Sequence, residues 1–131
     1  MVRVQMVRWL FAIAGVYGLL VLAPQYFLEE RIGTDDPPAI THPEYFYGFI
    51  GTAVAFQLAF LVIALDPPRY RLLILPSIFE KFSFAIAVWI LYFQAKLSVT
   101  VFVFGNIDLA LGILFIIAFF LTPGSAAEHE G

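Results

Sequence analysis

Long apolar runs separated by short polar breaks organise this chain. Residues 9 to 28 (WLFAIAGVYGLLVLAPQYFL) and 45 to 65 (YFYGFIGTAVAFQLAFLVIAL) carry no charge. A helix crosses the roughly 30 Å hydrocarbon core with about 20 apolar residues, so each run predicts one transmembrane helix. Residues 82 to 95 and 109 to 122 are also uncharged, but each run is only 14 residues long. That is about 21 Å of helix at 1.5 Å per residue, too short to cross. These two runs span only by drawing in the charged residues at their edges, Glu80 and Lys81 in the third span and Asp108 in the fourth. The pattern predicts an all-α fold, a four-helix transmembrane bundle, antiparallel, with spans at about 8–28, 44–65, 69–95 and 99–121. A short polar tail, 123–131, follows, and residues 1–131 form a single transmembrane domain.

Local punctuation sets the boundaries. Pro24 can kink the last turn of the first helix. Val21-Leu22-Ala23 loosely resembles a signal cleavage site, but Pro24 would follow the cut, so the segment is read as a retained helix. The connection from Glu29 to His42 holds Glu29, Glu30, Asp35, Asp36 and Pro37-Pro38. It is read as a polar, turn-rich loop, and it is the only loop with enough residues to form a lid. Thr41-His42-Pro43-Glu44 reads as a capping box with proline in the first turn of the second span. Asp66-Pro67-Pro68 ends that span. Pro76 leaves two readings of the third: a helix from about Pro68 kinked at Pro76, or a span beginning at Ser77 after an entry segment. The kinked helix is preferred because Leu72 to Leu75 need burial. Lys96 to Ser98 form a short hairpin, and the fourth helix ends near Leu121, before Pro123-Gly124.

Composition narrows the class further. At 62% hydrophobic and 13% charged, the chain is far more apolar than a soluble domain, which carries about 25% charged residues. A net charge of −3 without a basic cluster argues against nucleic acid as a partner. With no cysteine and with His42 and His129 in loop and tail, no span offers a thiolate or an imidazole, so neither a metal site nor a cofactor is expected. Arg3, Arg8, Arg69 and Arg71 fall on one side of the four-span arrangement, and Arg31 and Lys96 on the other. Lys and Arg accumulate on the cytoplasmic side, so both termini are expected there, in a cell inner membrane.

Ionisable residues within spans are costly and are kept where they pair or act. Counted at 1.5 Å per residue from the outer helix ends, Glu80 lies about 24 Å deep, Lys81 about 22 Å, Asp108 and Gln57 about 18 Å and Tyr17 about 16 Å. These five residues are the predicted polar layer, with Lys81 able to reach Asp108. The competing reading makes Ser77 to Glu80 a capping box, with Lys81 reaching out to the interface. A purely structural Lys81–Asp108 pair is the third.

Helical periodicity assigns the faces. In the third span, Ser77, Ser83, Ala87 and Gln94 fall on the Glu80 face, which is expected to point inward. In the fourth, Gly105, Gly112, Phe115 and Phe119 share the face of Asp108, and Asn106 looks elsewhere, toward a neighbouring helix or backbone. Gly15 and Gly18 flank Tyr17 and suggest a close helix contact. Gly48, Gly51, Thr52, Ala55 and Ala59 form a small-residue stripe on the second span. Such stripes let helices approach closely in lipid, and a contact within the chain is the first expectation. Gln57 lies opposite the stripe. If that amide turns inward, the stripe turns outward toward a partner.

Arg8 leading the first helix, the Pro-rich outer loop, Glu80-Lys81, and Asp108-Leu109-Ala110-Leu111-Gly112 in the fourth helix together resemble small bacterial four-helix membrane proteins with a DoxX-like layout. The resemblance implies an inner-membrane bundle and no particular activity. The expected role is non-enzymatic, either accessory or lipophilic-ligand-binding. Beyond the lipid bilayer, the partners would be a lipophilic small molecule or another membrane subunit. Alternatives are an intramembrane acid/base enzyme acting on a lipid-like substrate through Glu80 or Asp108, and a proton-coupled small-molecule transporter.

Overall fold

A computed structural model describes residues 2–124. Among them the chain is all helical: α1 Val2–Leu22 continued by a 3-10 segment Ala23–Phe27, α2 Glu29–Asp35, α3 Pro43–Leu65, a 3-10 turn Arg71–Leu73 leading into α4 Ile74–Phe93, and α5 Val99–Leu121. Four stretches are long and apolar enough to cross a membrane, namely Val2–Phe27, Pro43–Leu65, Arg71–Phe93 and Val99–Leu121. Their outward faces carry large apolar side chains: Leu20, Phe79, Phe93 and Phe120 are all exposed. Helices apolar all round belong in a large core or in lipid. The predicted polar tail from Ser125 onward, with His129, lies outside the described residues.

Several boundaries differ from expectation. α1 begins at Val2 rather than near Arg8, because Val7 is buried in the core and the helix must carry it there. Pro24 converts the end of α1 into a 3-10 turn, where the Gln25 amide donates to the Val21 carbonyl at 3.1 Å. The connection read as loop contains α2, whose first turn carries Glu29 and Glu30, the charge that favours a helix N-terminus. The Thr41 capping box is not formed. His42 is the N-cap of α3 and makes no side-chain cap bond; its Nδ1 lies 3.0 Å from Glu44 Oε1 instead.

The third span takes neither predicted course. The chain turns after Asp66, passes through the 3-10 turn, and starts α4 at Ile74. Pro76 sits in the first turn of α4, where its missing N–H has no helical partner to lose, so no kink is needed. Ser77 is inside the helix, with its hydroxyl donating to the Leu73 carbonyl at 2.8 Å. The Ser77 capping-box reading is thereby overturned. At the other end, Ala95 takes φ 57°, and the Ala95 and Lys96 N–H groups bond the carbonyls of Tyr92 and Leu91, both at 2.9 Å. This is a Schellman ending with alanine where glycine is usual. Ser98 caps α5, its hydroxyl accepting from the Val101 N–H at 3.4 Å.

α1 packs chiefly on α3 and α4 chiefly on α5, and the two pairs touch each other more narrowly. Where they meet near the start of α1, the core is filled by Val7, Phe11, Ala14, Phe60, Ile63, Ile74, Phe115 and Ala118. Phe11 stacks on Phe115 with ring centres 4.3 Å apart, and Phe60 meets Phe115 edge-on at 5.0 Å. Two arginines finish the helices at this end. Arg8 reaches the Leu65 carbonyl of α3 at 3.5 Å. Arg71 donates to the Phe119 and Thr122 carbonyls at the end of α5, at 3.2 and 2.7 Å, with its guanidinium 3.7 Å from the centre of the Phe119 ring.

Candidate functional site

Each long helix contributes to one polar constellation beyond the phenylalanine cluster: Tyr17 from α1, Gln57 from α3, Glu80 and Lys81 from α4, and Asp108 from α5 all line the same cavity. The ammonium is its centre. Lys81 Nζ donates to Asp108 Oδ1 at 3.2 Å and lies 3.7 Å from Glu80 Oε2, with side-chain exposures of 4% for Lys81, 15% for Asp108 and 17% for Glu80. The ring of Phe60 backs it, 5.2 Å from Nζ to the ring centre. Glu80 Oε2 is buried and has no hydrogen-bond partner.

Close helix approach makes this meeting possible. On α5, a Cβ added to Gly112 would come within 2.8 Å of the Phe82 ring and 3.2 Å of Lys81 Cβ. Glycine there lets α4 lie against α5 with Lys81 in reach of Asp108, one turn away. Gly18 does the same for α1. A Cβ on it would overlap Gln57 Oε1, so the amide of Gln57 occupies the space that any side chain at 18 would take. Gln57 is 1% exposed. Its Nε2 donates to the Ala53 carbonyl at 2.8 Å, which fixes which way the amide faces, and its Oε1 has no partner.

The cavity has a volume of about 630 Å³. From the polar constellation it runs between apolar walls that include Phe49, Phe84 and Phe104 to the end of α2 and the beginning of α5, including their flanking residues Asp36 and Ser98. A second concavity, about 660 Å³ and open to the surface, runs along α2 between Tyr26 and Tyr47 and holds none of the predicted site residues. Among the described residues, no group of three or more His, Cys, Asp or Glu could hold a metal ion.

The buried face of α4 is Ile74, Ser77, Lys81, Ala85 and Val88. It is centred on Lys81, not Glu80. Ser83, Ala87 and Gln94, expected inward, are exposed, because a helix face can be centred on only one of two adjacent residues and packing favours the longer lysine stem. Asn106 bonds the Phe102 carbonyl at 2.8 Å and accepts from Trp89 Nε1 at 3.1 Å, away from the constellation.

The stripe of α3 meets the rest of the chain only in part: a Cβ on Gly51 would come within 3.2 Å of the Tyr26 hydroxyl. Gly48, Thr52 and Ala55 are exposed and Gly51 and Ala59 half-buried, and a Cβ on Gly48 would meet nothing within 4 Å. Gln57 on the opposite face is the buried residue that turns the stripe outward.

Sequence reasoning missed the cavity itself, the notch at Gly18, and the part played by α2, whose Ile32 and Asp35 line the far end together with Asp36 just after it. Only the length of the 29–42 connection signalled the last of these. Compared with protein-family models, with curated proteins and with solved structures, the chain matches none. Residue roles therefore rest on geometry.

Proposed function

We propose that the chain is an integral inner-membrane protein, a single antiparallel four-helix bundle with both termini cytoplasmic, that binds a lipophilic small molecule between its two helix pairs. The polar head of the ligand would rest on the layer of Tyr17, Gln57, Glu80, Lys81 and Asp108. One observation carries this reading: the cavity reaches the charges. A structural ion pair alone calls for tight packing around it, whereas ligand sites are concave, mostly apolar, some 300–1,000 Å³ in volume, and fixed by a few convergent polar groups. The cavity of about 630 Å³ fits that description. Short connections between α3 and α4 and between α4 and α5 support the antiparallel arrangement. Arg3, Arg8, Arg69 and Arg71 support the orientation.

Native mass spectrometry of the protein purified in mild detergent tests the reading. Wild type is expected to retain a lipophilic adduct, and Ala53→Phe, which puts a ring into the cavity wall, to lose it while keeping its helix content. A wild type that carries nothing, and takes up no added amphiphile, overturns it.

A second reading has its own observation. Glu80 Oε2, which faces the Lys81 ammonium at 3.7 Å but makes no hydrogen bond within the protein, is the group an intramembrane acid/base enzyme or a proton-coupled transporter would use, with Asp108 as its companion. Turnover or proteoliposome flux abolished by Glu80→Gln but not by Asp108→Asn would favour it over simple binding. The outward stripe of α3 offers the face by which another membrane subunit would join the bundle.

A further inference from the structure

The charges around the cavity do not balance. Four carboxylates line it, Asp35, Asp36, Glu80 and Asp108, against the single ammonium of Lys81. Of these, Asp35 has an exposed partner in Arg31, 3.4 Å away. Asp108 takes the hydrogen bond from Lys81 at 3.2 Å, and Glu80 Oε2 stands at 3.7 Å with no bond. Lys81 is therefore engaged on its Asp108 side and backed by Phe60, and it offers no free cation to an incoming anion. Gln57 lines the same cavity, and its buried amide oxygen, turned toward Gly18, also lacks a donor; its orientation is fixed because only the NH₂ end can bond the Ala53 carbonyl. The wall thus presents two buried acceptors without a donor, in a setting where unpaired polar groups are costly.

We propose that the ligand of this cavity is a cationic amphiphile. Its protonated amine sits against Glu80 and Gln57, its apolar body lies along Phe49, Phe84 and Phe104, and Asp36 at the far end favours its entry. The inference rests on the ligand-binding reading above and adds the chemical class of the head group. An ammonium supplies both things the lining is short of, a second positive charge to set against its four carboxylates and further hydrogen-bond donors. A neutral alcohol supplies only the donor, and a carboxylate or phosphate supplies neither.

Three probes with one tail test it: dodecylammonium, dodecanol and dodecanoate, each titrated at matched concentration onto the full chain in mild non-ionic detergent and read as bound fraction by native mass spectrometry. The expected order is amine over alcohol over acid. Glu80→Gln is expected to remove most of the amine's advantage over the alcohol, about tenfold, the factor that corresponds to 1.4 kcal/mol. Should Glu80→Gln fail to fold, Asp36→Asn at the far end is expected to narrow the same advantage by a smaller factor. Equal retention of the three probes, or a preference for dodecanoate, overturns the cationic assignment and leaves ligand binding standing. Failure of all three to bind overturns both.

Discussion

The two halves of the bundle are built from the same helices and similar residues, yet one is filled and the other is hollow. In the filled half, near the start of α1, Phe11, Phe60 and Phe115 are fully buried and in mutual contact. In the hollow half, phenylalanines at 49, 84 and 104 line a space of about 630 Å³ without closing it. Apolar content does not decide which half packs. In lipid, helices gain little from hydrophobic burial against each other, so shape complementarity and polar contacts decide. The Lys81 layer stands at the border between the halves, with Phe60 behind it and open space in front.

The comparison predicts unequal responses to equal substitutions. Phe115→Ala should be the most damaging change, at about 4 kcal/mol, because it opens a void where both neighbouring rings are fixed; thermal or denaturant unfolding in detergent micelles measures it. Lys81→Met should follow at about 3 kcal/mol, since it leaves Glu80 and Asp108 facing each other without a cation. Adding Asp108→Asn to that variant should restore part of the loss. A Lys81→Met protein with wild-type yield and melting would mean that the pair contributes nothing to the fold. At the hollow end, Ala95→Gly should stabilise by about 1 kcal/mol, because glycine adopts the left-handed conformation without steric cost. Smallest of all, Phe104→Ala should change stability by less than about 1 kcal/mol, as its ring already borders empty space. A loss there as large as at Phe115 would show that the hollow half is closed in solution.

The spans and the border layer were the more legible in sequence. Uncharged runs located all four candidate spans, and depth counting along the helices put Lys81 within reach of Asp108, the pair the structure forms. Angular spacing put Asn106 off the layer and tied the outward turn of the α3 stripe to the position of Gln57. The rotation of α4 was not legible, because Glu80 and Lys81 are neighbours separated by about 100° around the helix, and the sequence does not say which of them sets the face. Nor was the short helix α2, where Pro37-Pro38 and the acidic residues read equally well as turns. The cavity left no trace in the pattern, since a void depends on how far apart two helix pairs settle and not on the periodicity of either.

Arg8 and Arg71 act twice. They belong to the set of positive residues from which a cytoplasmic location of the termini is proposed, and they also bond the last carbonyls of α3 and α5. Under the proposed orientation, moving those arginines to the opposite side to invert the chain would also uncap two of its four long helices, which would tie the choice of orientation to helix termination.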